Sequence, residues 1–139
     1  MANKFRNPFN PIFSWYIKKR LHQIELFLKY PIEVQQETLL KLLKFARNTE
    51  FGKKYDFNSI KSVYDFKKNI PISTYEDIEP TIEKIKKGQQ NLLWPTEIKW
   101  LAKSSGTSTG KSKYIPVSKE AIENCHYNGG KDLLALYYN

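Results

Sequence analysis

Apolar positions recur at helical spacing through most of the chain and give way near its end to short, bulky runs. Ile17, Leu21, Ile24 and Leu28 repeat at the three-to-four interval of one helix face and predict a packing helix. Tyr30-Pro31 breaks it, and Pro31 suits the first position of a second helix reaching about Asn48. There Val34, Leu39, Leu42, Leu43 and Ala46 make one face, while Glu33, Gln36, Glu37, Lys41 and Lys44 cover the other. Gly52, after Phe51, reads as a turn or cap. Ser62 is placed to cap a short helix that Ile70-Pro71 ends. Thr74 and Asp77 have capping-box spacing for a further helix with Ile78, Ile82 and Ile85 on its apolar face. Pro80 is expected to interrupt that helix early and Gly88 to stop it.

After Gly88 the period changes. Leu92-Leu93-Trp94-Pro95 reads as a strand-like passage, Ile98 to Ala102 as a strand, and Tyr114-Ile115-Pro116-Val117 as a returning strand whose proline argues for an edge or a bulge. Ser118 caps a last helix, with Ile122, Cys125, Gly129, Leu133 and Leu136 near one face and Gly129-Gly130 permitting close helix packing. The final run, Leu133 to Asn139, has no polar tail or glycine stop and reads as an interrupted helix.

Between the two strands lies Ser104-Ser105-Gly106-Thr107-Ser108-Thr109-Gly110-Lys111-Ser112-Lys113, rich in hydroxyls and glycine and ending on two lysines. Backbone N–H groups, hydroxyls and an ammonium in one loop can surround a polyphosphate; a plain polar turn is the alternative. A Walker loop needs four residues between its glycine and the Gly-Lys pair and a helix afterwards. Here three residues separate Gly106 from Gly110, and a strand follows. The dinucleotide pattern Gly-x-Gly-x-x-Gly is absent too.

The 139 residues suffice for one modest domain. Net charge is +9, but the basic residues are scattered, with Lys18-Lys19-Arg20 the longest run, so a solvated lysine-rich surface is favoured over a nucleic-acid face. Pro11 to Ile17 is too short to span a bilayer, and most of its flanking charges follow it, opposite to a secretory signal. A packing helix is favoured over one lying on a membrane. One cysteine, Cys125, allows no internal disulfide, and the cytosol is the default compartment. Cys125-His126 lacks a third partner at useful spacing, His22 sits among surface residues, and no Cys-His cluster points to a protein-bound metal. Trp94 and Trp100 read as core or rim residues, with a place near an acyl pocket as the alternative.

Ser104-Ser105-Gly106-Thr107-Ser108 with Gly110, Lys113 and Ile115-Pro116 resembles the phosphate loop of the adenylate-forming enzymes, the superfamily of firefly luciferase and the acyl-CoA synthetases. It is one residue longer than their usual form and lacks the proline before the lysine. Those departures resemble the Gretchen Hagen auxin-responsive-promoter family of acyl-acid amido synthetases. Ala46 to Tyr55, Ile70-Pro71-Ile72, Tyr75-Glu76-Asp77-Ile78 and Gly88 to Pro95 resemble the segments that precede that family's loop.

The resemblance implies an α/β fold, an α+β mixture within this chain, with N-terminal helices leading into part of a large adenylation domain. Residues 1–88 would be helical and 92–139 strand-loop-strand-helix, with later nucleotide motifs and a C-terminal domain beyond the chain. It implies a ligase: a carboxylate attacks the α-phosphorus of Mg-ATP to give an acyl-adenylate, which an amino acid amine opens to an amide. ATP and Mg2+ are the implied cofactors, and a small carboxylic acid and an amino acid the implied partners; neither nucleic acid nor membrane is expected. Ser104, Ser105, Thr107 and Ser108 would offer hydroxyls to the phosphates. Gly106 and Gly110 would admit close backbone approach, and Lys113, seconded by Lys111, would supply the catalytic positive charge. Coenzyme A as acceptor and a non-catalytic basic adaptor are the alternatives. The chain alone is expected to be inactive.

Overall fold

A computed structural model describes residues 10–105 and 112–137, with the side chains of residues 10, 12–14, 16 and 17 outside the description. Five helices come first: α1 (Asn10–Lys29), α2 (Pro31–Ala46), α3 (Glu50–Lys54), α4 (Val63–Asn69) and α5 (Tyr75–Lys86). A hairpin of β1 (Trp100–Lys103) and β2 (Tyr114–Val117) follows, then α6 (Lys119–Ala121), a π-helical turn (Ile122–Tyr127) and α7 (Asn128–Tyr137). The α/β mixture expected from the sequence is the fold observed. Among the described residues, no helix is long and apolar enough to cross a membrane.

The corner between α2 and α3 is closed by Thr49, whose side chain is fully buried. Its hydroxyl donates to the Ala46 carbonyl at 2.7 Å and accepts the Gly52 N–H at 2.9 Å. The Thr49 N–H also reaches Ala46, and the N–H groups of Glu50 and Phe51 reach the carbonyls of Asn91 and Leu92 at 3.0 and 2.9 Å. All four donors that a helix start leaves without intrahelical partners are therefore satisfied. Asn91 takes a left-handed φ of 58° to present its carbonyl. This corrects the strand-like reading of Leu92 to Pro95: the segment is irregular, and its first carbonyl, that of Leu92, caps α3 instead of joining a ladder. Gly52 is likewise no turn. It lies buried inside α3, where a Cβ would stand 2.2 Å from the Ala46 carbonyl oxygen.

α5 starts with the expected capping box: the Asp77 carboxylate accepts the Thr74 N–H at 2.7 Å and the Thr74 hydroxyl at 2.9 Å. Pro80 does not end the helix. It has no N–H for the Glu76 carbonyl, a loss of about 3 kcal/mol in a helix interior. Burial of Ile82 and Ile85, at roughly 1.5–3 kcal/mol each, together with the capping box offsets it. The helix stops at Gly88, with φ 91°, through Gly88 N–H to Ile85 and Gln89 N–H to Lys84, both Schellman bonds.

The apolar faces read from the sequence hold in part. Leu43 and Ala46 of α2 are buried with Ile60 and Leu92, whereas Leu42 is exposed. On α1, Leu21 and Ile24 are half-buried, but Leu28 is 79% exposed. The last helix departs most. Its bonding slips from i→i+4 to i→i+5 over Ile122–Tyr127, which rotates later residues off the expected face. Cys125, Gly129, Leu133 and Leu136 are exposed, and Ala135 is the buried residue. Among the described residues, Gly129 and Gly130 meet nothing within 4 Å of an added Cβ, so no close packing is seen there. α7 instead docks on α1 through a two-bond Arg20–Asp132 ion pair.

Gly52→Ala is expected to lower the unfolding free energy by at least about 2 kcal/mol in urea titration, because the Cβ must displace backbone. Gly88→Ala has open space and suffers only its positive φ, at about 1 kcal/mol. Equal losses would contradict the Thr49 corner as the tighter constraint.

Candidate functional site

The hairpin pairs Trp100 with Val117, Leu101 with Pro116, Ala102 with Ile115 and Lys103 with Tyr114. Pro116 is accommodated because β2 has one strand partner among the described residues. One step beyond the ladder, the Ser104 N–H donates to the Lys113 carbonyl at 2.9 Å, and the Lys113 N–H donates to Ser104 Oγ at 3.1 Å. The two ends of the glycine-hydroxyl loop are thereby fastened to each other. Ser104 is half-buried at this base and Ser105 is exposed. Gly106, Thr107, Ser108, Thr109, Gly110 and Lys111 lie outside the described residues. Of the residues singled out for phosphate binding, the structure brings Ser104 and Lys113 together.

Ser104 Oγ accepts the Lys113 amide and still carries its own proton to donate, so its first role is to hold the loop shut. The Lys113 ammonium stands 4.8 Å from the centroid of the Tyr75 ring and 3.4 Å from a Glu76 carboxylate oxygen. The Tyr75 hydroxyl accepts the Tyr114 N–H at 2.9 Å. From the other end of α5, Lys86 lies 4.5 Å from the Tyr114 ring centroid. α5 thus grips the strand on which the loop ends.

Tyr75 and Glu76 did not figure among the sequence candidates. The available signal was the capping box, because a helix starting at Thr74 places the next two side chains at its tip. Behind the hairpin, Glu120 of α6 accepts Trp94 Nε1–H at 3.0 Å and the Thr96 hydroxyl at 2.8 Å. Trp94 packs on Phe45 with ring centroids 5.0 Å apart and lines an apolar cleft of about 370 Å³ with Leu93, Ile98, Pro116 and Cys125. Trp100 is half exposed. Among the described residues, no group of three or more His, Cys, Asp and Glu side chains converges as a metal site would require.

A family model described as the GH3 family N-terminal domain matches residues 20–139. The chain belongs to the GH3 family. It is 34% identical over 106 residues to the indole-3-acetic acid-amido synthetase GH3.2 of Arabidopsis thaliana, covering 76% of this chain and 19% of that protein. Over 105 residues it is 33% identical to the jasmonoyl-L-amino acid synthetase JAR4 of Nicotiana attenuata, covering 75% of this chain and 18% of the relative. A solved GH3.15 acyl acid amido synthetase superposes with a TM-score of 0.75 at 31% identity, over 85% of this chain and 21% of the other. This GH3 chain spans about a fifth of the length of the curated relatives it matches.

The carboxyls at the α5 tip are held below their ordinary range. Glu76 is lowered first by its own amide N–H and then by the Lys113 ammonium and the Thr74 hydroxyl; Asp77 is lowered by the Thr74 N–H and then its hydroxyl. Glu120 is also lowered: burial pushes it up, but its own amide, Thr96 and Trp94 outweigh that. A carboxyl with a depressed folded value stabilises the fold above its unfolded value, and the contribution is lost as pH falls through the folded one. The α5 cap should therefore loosen below about pH 4, seen as a shift of the Thr74 amide resonance with pH. Asp77→Ala is expected to give the loosened spectrum at neutral pH; an unmoved Thr74 amide in that variant would contradict the cap.

Proposed function

We propose that this chain is the nucleotide-facing N-terminal part of an ATP-dependent acyl-acid amido synthetase, which joins a small carboxylic acid to the amine of an amino acid. The supporting observation is the closed loop base, with Ser104 and Lys113 fastened to each other and the Lys113 ammonium held where the loop ends. The GH3 relatives named for indole-3-acetic acid and jasmonoyl conjugation support the acid and amine classes.

The donor set suits a polyphosphate. Hydroxyls of Ser104, Ser105, Thr107 and Ser108, the backbone at Gly106 and Gly110, and the ammonium groups of Lys111 and Lys113 are all donors. ATP supplies the adenylyl group that activates the acid and the pyrophosphate that leaves, and Mg2+ neutralises phosphate charge. The protein's part is positional and electrostatic. The fastened base limits the conformations open to the loop, and Lys113 offers fixed positive charge to phosphate oxygens as negative charge grows on them. A cytosolic setting suits the exposed Cys125 thiol.

The complete gene product is expected to exchange labelled pyrophosphate into ATP only when a carboxylic acid is present, and to form an amide with amino acids in preference to a thioester with coenzyme A. Lys113→Ala and Gly106→Val should each slow exchange by about a hundredfold with unchanged thermal unfolding. Normal exchange in both variants would sink the phosphate-loop assignment, and thioester formation alone would move the protein to the acyl-CoA ligases.

A further inference from the structure

We infer that Tyr75 is a positioning residue for Lys113 and the phosphate loop it ends: its hydroxyl fixes the backbone where the loop ends, and its ring holds the Lys113 ammonium there. The inference rests on the phosphate-loop reading and adds to it a part played by α5, remote in sequence from the loop.

Backbone N–H groups alternate sides along a strand. At the start of β2 the Lys113 N–H turns toward Ser104, so the Tyr114 N–H turns the other way, toward α5. There the Tyr75 hydroxyl receives it at 2.9 Å, and the same oxygen lies 3.4 Å from the Tyr114 carbonyl. The loop's end is therefore held from both sides, by Ser104 and by Tyr75. A phenylalanine at this position would leave a half-buried N–H without that acceptor.

The ring does separate work. A cation over an aromatic face is attracted by the quadrupole and keeps its full charge. The second partner, Glu76, is 64% exposed and 3.4 Å away, and an ion pair of that kind is weak in water. Lys113 is thus held at the loop's end by a ring and one weak, solvent-screened ion pair, neither of which removes its charge. A buried carboxylate in place of the ring would compete with the phosphates for the same charge.

Tyr75 is fixed well enough to serve as a post. It is the first residue of α5, whose start is set by the Thr74–Asp77 capping box and whose body is anchored by buried Ile82 and Ile85. At the far end of α5 Lys86 lies over the Tyr114 ring, so two contacts hold the helix against the same residue of β2.

The test is a mutant cycle on the complete gene product, reading kcat/KM for ATP in pyrophosphate exchange. Tyr75→Phe keeps the ring and is expected to lower kcat/KM about fivefold. Tyr75→Leu should lose about a further threefold, and that step from Phe to Leu should vanish when Lys113 is Ala. A merely structural tyrosine would give the same step in both backgrounds, and that result overturns the ring's role. Wild-type kcat/KM in Tyr75→Phe overturns the hydroxyl's role, and this variant alone decides if Tyr75→Leu does not fold. An unaffected Lys113→Ala enzyme would instead overturn the phosphate-loop reading beneath.

Discussion

Everything that positions the loop depends on how the first turn of α3 finds partners for its N–H groups. A helix start leaves four donors unbonded, and burying them unpaired would cost about 1–3 kcal/mol each. Here two are met within the corner by the Ala46 carbonyl and the Thr49 hydroxyl, and two by the carbonyls of Asn91 and Leu92. The second pair matters beyond α3. It ties the segment leading into β1 to the helices, so the hairpin is held by backbone bonds of the helical part as well as by side-chain packing. Thr49 fits because a small β-branched hydroxyl can donate and accept in a fully buried space; Gly52 fits because nothing larger clears the Ala46 carbonyl.

From that corner the support for the loop runs along two routes. One passes through Leu92, Trp94 and β1 to Ser104, and Glu120 braces it by taking the Trp94 and Thr96 donors. The other passes through α5, whose first residue reaches the Tyr114 backbone. Loop ends fixed from two directions leave fewer conformations to lose when a charged ligand arrives, which is how a scaffold contributes to affinity without touching the ligand.

Local chemistry was legible in the sequence; long-range partnership was not. The capping box at Thr74, the Ser62 and Ser118 caps, the Gly88 stop and the strand Tyr114–Val117 each depend on a few consecutive residues, and each stands as read. Pro80 misled because its cost is local while the burial that offsets it belongs to Ile82 and Ile85. Leu92 to Pro95 looked like a strand because bulky apolar residues suit one, but its leading carbonyl, that of Leu92, is taken by the start of α3. The last helix was misread at the π-helical turn, where a helical-wheel spacing stops applying. The family was recognisable from the loop's glycines and hydroxyls and the segments before it, whereas the Arg20–Asp132 and Tyr75–Tyr114 contacts join residues far apart and carry no periodic signal.

Charge illustrates the same division. A net charge of +9 invites a search for an anionic partner over the whole surface. Yet several lysines are met locally, Lys84 by Glu50, Lys86 by Glu83, Lys99 by Glu97 and Lys119 by Glu123, and such exposed pairs spread the charge without focusing it. Lys113 differs in its setting, not its charge. It too has a carboxylate neighbour, the exposed Glu76 at 3.4 Å, but it stands at the end of a loop of hydroxyls and glycines and on an aromatic ring. A basic composition can serve a phosphate only where the fold restrains an ammonium, and the ring that contacts Lys113 comes from a helix begun thirty-eight positions earlier.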